Sequence, residues 1–182
     1  VNMKLQEEYL RRPISVCDYD EKNITIIYKV VGRGTEIMSK MNPGEKLDLL
    51  LGLGNGFSTE DSGENPVLIG GGVGVPPMYN LCKTLKSQGK FVTVILGFNT
   101  ASEIFYEKEF NLLGAKTIVT TVDGSYGIKG FVTDGMKGVL NYTYYYTCGP
   151  EPMLKAVYNA TETSGAYSFE ERMGCGFGAC MG

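Results

Sequence analysis

The 182 residues contain no histidine and no tryptophan. The lack of histidine excludes a histidine general base, a serine–histidine–aspartate triad, and Cys₂His₂ or Rieske-type metal sites built from this chain alone. If the protein is an enzyme, we therefore expect a cofactor rather than a side chain to supply the difficult chemistry.

Long apolar runs and runs of basic residues are also missing. No stretch of 18 or more apolar residues occurs, which argues against a membrane span. The opening "VNMKLQEEYLRRP" lacks the apolar core of a signal peptide. The net charge is −3, from 17 basic and 20 acidic side chains, and the sequence has no basic cluster with which to bind nucleic acid.

The five cysteines are odd in number and scattered along the chain. Without a secretory signal, this pattern argues against a disulfide framework and favours a reducing, cytoplasmic location.

The first third of the sequence predicts antiparallel β structure. A short apolar run at residues 14–17 is followed by a polar turn at 18–23, and residues 24–31 alternate with the period of two that is typical of strands. "NPG" at 42–44 indicates another turn, and "EKLDLLL" indicates a further strand. We expect these strands to form an antiparallel sheet or barrel.

After the polar stretch at residues 58–66, strand-like and helix-like segments alternate. The strand candidates are "VLIGGG", "KFVTVILGF", "AKTIVTTV" and "YTYYYTCGP"; the helix candidates are residues 77–87, a segment that begins at Ser102, a weaker segment at 133–140, and residues 151–163. Such alternation predicts a doubly wound parallel α/β sheet. The polar stretch indicates a domain boundary, which we place after residue 62.

Two glycine-containing motifs lie at predicted strand ends. "GGGVGVPP" at 70–77 joins the first strand of the α/β half to its first helix, where glycines allow close backbone approach and a helix N-terminus can bind a pyrophosphate. The alternative is a tight turn without a ligand. "TCGPEPM" at 147–153 ends the last predicted strand at the carboxyl edge, where open α/β sheets bind ligands. Cys148 is therefore a site candidate, although a free cysteine is most often a buried filler.

Taken together, "RRPIS" (11–15), "GRGT" (32–35), "GGGVGVPP" and "CGPEPM" resemble, in their order, the ferredoxin–NAD(P)⁺ reductase-like proteins. The closing "EERMGCGFGACMG" is more narrowly similar to the electron-transfer subunits of dihydroorotate dehydrogenase B. The resemblance covers essentially the whole chain. It implies an FAD-binding β-barrel domain at 1–62 that lacks its first strands, an NAD-binding α/β domain at 63–168, and the start of an iron–sulfur arm at 169–182.

The same resemblance implies roles for individual residues. The flavin motif would comprise Arg12, Pro13, Ile14 and Ser15, with Arg12 on the FAD pyrophosphate and Ser15 at the isoalloxazine edge. Further FAD contacts would come from Lys29, Val30, Val31, Gly34 and Thr35. The dinucleotide would be lined by Gly70, Gly71, Gly72, Gly74 and Pro76, with Cys148, Gly149 and Pro150 near the nicotinamide. Ser15 and Cys148 are the residues expected at the reacting atoms. Without the resemblance, Arg12 is a surface charge and Ser15 a strand hydroxyl.

Two further features bear on the cofactors. The loop "GFNTASE" carries Asn99 and no basic residue before Lys108, which favours NAD over NADP because a 2′-phosphate calls for an arginine. Cys175 and Cys180 have the four-residue gap of plant-type iron–sulfur proteins, which predicts two ligands of a [2Fe–2S] cluster. The same pair also fits half of a zinc site or two ordinary cysteines.

The resemblance implies a function in pyrimidine biosynthesis. Electrons would pass from an FMN-containing dihydroorotate dehydrogenase catalytic subunit, in a heterotetramer, through [2Fe–2S] and FAD to NAD⁺. Hydride transfer between nicotinamide and flavin needs close stacking and no protein acid or base, which agrees with the lack of histidine. Two alternatives stay open: an NAD(P)H:ferredoxin or sulfide-type reductase subunit, and a non-catalytic module that binds a nucleotide or zinc.

Overall fold

In the computed structural model the described residues are 2–4 and 11–169, and they divide between two units, one ending at Gly56 and the other beginning at Phe57. The functional domain limits at residues 62 and 168 stay predictions. None of the helices in the described part of the chain is long and apolar enough to cross a membrane.

The first unit is built from short antiparallel strands, as the alternation in the sequence predicts. Its elements are β1 (Asn2–Lys4), β2 (Arg12–Pro13), β3 (Val16–Tyr19), β4 (Ile24–Ile26), helix α1 (Arg33–Ser39) and β5 (Asp48–Leu50). Strand β1 pairs antiparallel with both β2 and β5, while β3 and β4 form a separate hairpin. Among the described residues of this unit, the apolar cluster has one buried side chain, Met38. Ile14, Ile26 and Tyr28 pack against it.

Two predictions for this unit need correction. The strand predicted over residues 24–31 ends at Ile26. Ile26 pairs with Val16, the first residue of β3, so within the described residues the pairing of β3 with β4 stops there. Val30 and Val31 are instead 52% and 79% exposed. Gly34 and Thr35, which the resemblance implies to form a phosphate-binding turn, lie instead in the first turn of helix α1.

The second unit is a six-stranded sheet in which every strand pair is parallel, in agreement with the predicted doubly wound fold. Its elements are β6 (Pro66–Gly71), a 3₁₀ turn (Gly72–Gly74), α2 (Val75–Ser87), β7 (Thr93–Phe98), a 3₁₀ turn (Ala101–Glu103), α3 (Glu107–Leu112), β8 (Lys116–Thr121), β9 (Ile128–Lys129), α4 (Val132–Met136), β10 (Tyr144–Cys148), α5 (Glu151–Asn159) and β11 (Gly165–Ser168). The strand order is β11-β10-β6-β7-β8-β9.

Apolar side chains cover both faces of this sheet. Along β6, Leu68 belongs to one buried cluster, with Met78 of α2 and Phe110 of α3. Its neighbours Val67 and Ile69 belong to the other cluster, together with residues of α4 and α5. Because successive strand residues point to opposite faces, this division places α2 and α3 on one side and α4 and α5 on the other.

The segment after β7 differs from the helix predicted to start at Ser102. A 3₁₀ turn there is followed by Tyr106, whose φ of 65° interrupts the helical path, and α3 begins only at Glu107. The interruption lets Ile104, Phe105 and Tyr106 pack against the buried cluster. Tyr106 also meets Tyr79 edge to face, with the ring centroids 4.9 Å apart. Burial of these aromatic rings outweighs the cost of the unusual backbone.

Candidate functional site

The strand order creates a crevice between β6 and β10. From β6 the chain proceeds through β7, β8 and β9 in one direction, whereas β10 and β11 lie on the other side of β6. Loops from adjacent strands that lead in opposite directions leave a gap at the carboxyl edge of the sheet, which is where open α/β sheets bind ligands. The 3₁₀ turn Gly72–Gly74 follows β6 at this edge, and Gly149 follows β10.

The two glycine motifs of the sequence meet at this crevice. Gly70 of β6 pairs with Cys148 of β10. A Cβ atom built on Gly74 would lie 2.1 Å from the carbonyl oxygen of Cys148 and 2.7 Å from the nitrogen of Gly149. Gly74 has an ordinary φ of −81°, so glycine is needed here for close approach of the two loops rather than for its conformation.

Gly149 needs glycine for its conformation as well as for space. Its φ of 158° is rarely adopted by other residues. A Cβ atom there would lie 2.6 Å from the methyl carbon of Met153, and one on Gly71 would lie 2.4 Å from the Met153 sulfur. The thioether of Met153, a residue of α5, therefore packs against both loops.

Cys148 is almost completely buried, with 3% of its surface exposed, and belongs to the cluster that contains Val75 and Met78. Its side chain thus packs into the core on the α2 face. This segment therefore contributes only its backbone and the exposed Pro150 to the crevice.

The start of α2 offers few donors for a phosphate. Val75 donates its N–H to the carbonyl of Gly72, and the next two residues, Pro76 and Pro77, have no N–H. The expectation that this helix N-terminus binds pyrophosphate through its amides is therefore poorly supported, although its dipole points toward the crevice. Gly71, Gly74 and Gly149 instead allow close packing of the protein itself, and only Gly72 has open space at its Cβ position for a ligand to come close.

Two acidic residues missed by the sequence reasoning lie in the neighbouring loops. The Glu103 carboxylate accepts hydrogen bonds from the backbone N–H and the side-chain amide of Asn99, at 3.0 and 2.9 Å. Asp123, which follows β8, accepts a 2.6 Å hydrogen bond from the Ser125 hydroxyl. This hydrogen bond holds the pKa of Asp123 below its usual value. The backbone N–H of Ala101 donates to Ser125 at 2.8 Å and links the two loops.

The signal for these residues was present in the sequence as acidic side chains a few positions after strands β7 and β8. An acidic residue beyond the second strand is the usual partner of the ribose 2′-hydroxyl in NAD sites. Negative charge at this edge disfavours a 2′-phosphate, which agrees with the expected preference for NAD.

In the first unit, Arg12, Gly34 and Thr35, all predicted to bind flavin, lie close together. A Cβ atom built on Gly34 would lie 2.5 Å from Nε of Arg12, so the guanidinium rests on the Gly34 backbone. The hydroxyl of Thr35 accepts hydrogen bonds from the N–H groups of Val31 and Gly32 at 3.0 and 3.2 Å. These contacts join the "RRPIS" and "GRGT" motifs into one cluster.

The other predicted flavin residues differ in exposure. Pro13, Ser15, Lys29, Val30 and Val31 are exposed, and Ile14 is half-buried against Met38. An exposed apolar pair next to a lysine is compatible with a flat, partly polar ligand such as a flavin ring.

The predicted metal ligands Cys175 and Cys180 lie outside the described residues. The three cysteines within them, Cys17, Cys82 and Cys148, are all buried. Burial raises the pKa of Cys82 to about 12, so its thiolate is inaccessible as a metal ligand at neutral pH. Within residues 2–4 and 11–169 no group of three or more metal-binding side chains is present.

Comparisons with known proteins give one family. Residues 68–159 match the model of the oxidoreductase NAD-binding domain. The electron transfer subunit of dihydroorotate dehydrogenase B (NAD(+)) from Fusobacterium nucleatum is 45% identical over 192 aligned positions, which cover 99% of this chain and 74% of that protein. The subunit of the same name from Geobacillus sp. is 48% identical, covering 94% of this chain and 69% of that protein.

Solved structures agree with the fold. The structure of an NADH-dependent reduced ferredoxin-NADP oxidoreductase, described for flavin-based electron bifurcation, has a TM-score of 0.85 and 30% identity, covering 98% of this chain and 67% of that one. The cytochrome b5 reductase domain of Ulva prolifera nitrate reductase has a TM-score of 0.72 and 19% identity, covering 92% and 82%, and shares the fold.

Proposed function

The chain belongs to the family of dihydroorotate dehydrogenase B electron transfer subunits, and on that premise we propose that it carries electrons from a dihydroorotate-oxidising partner subunit to NAD⁺. It is thus part of an oxidoreductase of pyrimidine biosynthesis. The observation that carries the proposal is the crevice between β6 and β10, which lies within the stretch that matches the NAD-binding model.

We assign NAD(H) to the carboxyl edge of the six-stranded sheet. We assign Gly70, Gly71, Gly72, Gly74 and Pro76 to one side of the site, and the backbone of Cys148 together with Gly149 and Pro150 to the other. Gly74 and Gly149 let the two loops pack closely, and the open space at the Cβ position of Gly72 leaves room for the nucleotide to approach the backbone. Glu103 and Asp123 follow the next two strands, and we assign them to exclusion of the 2′-phosphate of NADP.

The residues of the first unit fit FAD. The Arg12 guanidinium, a planar donor fork, suits a pyrophosphate, and Thr35 orders the backbone of Val31 and Gly32 beside it. We assign the exposed Lys29, Val30 and Val31 to the flavin surface, together with Pro13 and the half-buried Ile14. The Ser15 hydroxyl can donate or accept a hydrogen bond at the ring edge. When bound, FAD would supply the change from single electrons, which it would receive from the cluster side, to the hydride that NAD⁺ takes up.

The protein's own part in this reaction is positioning. No histidine occurs in the 182 residues. Hydride transfer needs none, because close alignment of the nicotinamide and flavin rings is sufficient for a fast reaction. Cys175 and Cys180 would supply two of the four thiolates of a [2Fe–2S] cluster. The partner is the FMN-containing catalytic subunit, and the cytoplasm, where thiolate ligands stay reduced, is the proposed location.

A second candidate is a ferredoxin-type reductase subunit, favoured by the 30% identity to the ferredoxin-NADP oxidoreductase. Co-purification of the full-length protein with its catalytic partner separates the two. We expect bound flavin, iron with acid-labile sulfide, and dihydroorotate-dependent reduction of NAD⁺. Reduction of ferredoxin by NADH with no response to dihydroorotate would instead support the second candidate. Zinc without flavin or iron would indicate a non-catalytic module and refute both.

A further inference from the structure

Gly34 is an unusual residue for its place in the fold. It is the second residue of helix α1 (Arg33–Ser39) and it is buried. Its φ lies outside the left-handed region, so its backbone conformation is open to any residue. Glycine inside a helix costs about 1 kcal/mol relative to alanine. Neither conformation nor helix propensity therefore accounts for a glycine at this position.

The contact that does account for it is with Arg12. A Cβ atom at position 34 would lie 2.5 Å from Nε, 3.0 Å from Cζ and 3.0 Å from Nη2 of Arg12. Three atoms of the guanidinium plane thus occupy the space that any other side chain at this position would fill. By contrast, Gly32 at the start of the same helix has an extended backbone, with φ −175°, and nothing within 4 Å of its Cβ position.

We propose that Gly34 is a positioning residue for Arg12, and that its missing side chain seats the guanidinium where it takes the pyrophosphate of FAD. The inference rests on the proposed function, which assigns FAD to this unit. A seated guanidinium is ordered before the ligand arrives, so less side-chain freedom is lost on binding. Gly34 acts through Arg12 and needs no contact with the phosphate itself.

The substitution Gly34→Ala tests this directly. Because arginine is long and flexible, we expect the added methyl group to displace the guanidinium and leave the backbone of α1 in place. The apoprotein of the full-length chain is titrated with FAD and with riboflavin, which has no phosphate, and binding is followed by flavin fluorescence. We expect FAD affinity to fall by about 10- to 100-fold, the loss expected when a hydrogen bond to a charged group is removed. Riboflavin affinity should stay within about twofold of wild type, since only the phosphate contact is lost.

A double-mutant cycle separates positioning from packing. Arg12→Ala alone should lower FAD affinity at least as much as Gly34→Ala, and Arg12→Ala/Gly34→Ala should show no loss beyond Arg12→Ala, because no guanidinium is left to displace. Gly138→Ala is the control: Gly138 belongs to the second unit, a Cβ atom there would meet only the carbonyl oxygen of Gly135 at 3.8 Å, and the variant should bind FAD as wild type does. Thermal unfolding of each apoprotein verifies that the variants are folded. If Gly34→Ala lowers stability, comparison with the double variant, which has no guanidinium to displace, shows whether the displaced Arg12 is the cause.

Two results overturn the inference, and they differ from a failure of the proposed function. If Arg12→Ala loses FAD while Gly34→Ala keeps it, or if the two losses multiply in the double variant, Gly34 does not act through Arg12. If the wild-type protein binds no FAD at all, the proposed function fails and the positioning role fails with it.

Discussion

At the scale of single residues, two β-strand threonines show that the contribution of a buried hydroxyl to stability depends on its hydrogen bonds. Thr121 and Thr147 are both completely buried. The Thr121 hydroxyl donates to the carbonyl of Tyr126 at 2.6 Å and accepts from the Tyr126 N–H at 3.1 Å. The Thr147 hydroxyl, beside Cys148, has no hydrogen-bond partner among the described residues.

Replacement of each threonine by valine, which has nearly the same shape, should therefore have opposite effects. Thr147→Val removes an unpaired buried hydroxyl and should raise the free energy of unfolding by up to about 1 kcal/mol. Thr121→Val leaves two backbone groups unpaired and should lower it by about 1–3 kcal/mol. Urea denaturation of the two variants checks both values. A loss of stability in Thr147→Val would mean that the hydroxyl has a partner in solution.

At the scale of secondary-structure elements, the contact between the β6 and β10 loops is the feature on which the proposed NAD site depends. Gly74→Ala would place a methyl group 2.1 Å from the carbonyl oxygen of Cys148, a backbone atom that cannot move aside cheaply. The two loops must separate, and we expect NAD(H) affinity to fall by about tenfold or more, with a loss of about 1–3 kcal/mol in stability.

Gly138→Ala is a suitable control for Gly74→Ala. Gly138 is exposed, its φ lies outside the left-handed region, and a Cβ atom there would make only an ordinary contact, 3.8 Å from the carbonyl oxygen of Gly135. Titration with NADH and thermal unfolding of both variants give the comparison. Equal NADH affinity in Gly74→Ala and wild type would show that the spacing of these loops does not matter to the nucleotide.

The loop after β7 carries a separate prediction about nucleotide preference. Glu103→Gln removes the negative charge but keeps an oxygen that can accept both hydrogen bonds from Asn99. A unit charge a few ångströms from a phosphate is worth about 1 kcal/mol in water, so kcat/KM for NADPH relative to NADH should rise about fivefold. Glu103→Ala should lower both values, because the loop also loses its hydrogen bonds. An unchanged ratio in Glu103→Gln would remove Glu103 from the specificity argument.

The same elements mark what the sequence could and could not predict. Alternating strand and helix patterns were sufficient for the parallel sheet, because buried strands such as Pro66–Gly71 are continuously apolar and end in glycine. The two-residue strand Ile128–Lys129 and the edge strand Gly165–Ser168 carry too short a pattern to be recognised. The role of Gly34 was beyond sequence reasoning, since it depends on a side chain 22 positions away, at Arg12, that only the fold brings near.

At the scale of the whole molecule, the proposed relay separates two kinds of electron transfer. NADH exchange depends on residues of the described units, whereas exchange with the partner subunit depends on the cluster assigned to Cys175 and Cys180. The two activities should therefore respond independently to substitution.

Cys180→Ser in the full-length protein, purified with its catalytic partner, tests this separation. Serine is a poor ligand for an iron–sulfur cluster, so iron and acid-labile sulfide should be lost, and with them dihydroorotate-dependent reduction of NAD⁺. NADH oxidation by an artificial dye, which needs only the flavin, should stay within about twofold of wild type, because no step of it passes through the cluster.

Cys82→Ala is the matched cysteine control. Its thiol lies in the core of the second unit with its pKa raised to about 12, so this variant should keep its iron and both activities and lose only about 1 kcal/mol of stability. Unchanged iron in Cys180→Ser would show that the cluster is held by other residues. Loss of the dye reaction together with the iron would show instead that electrons reach the dye through the cluster, so that the two transfers are not independent.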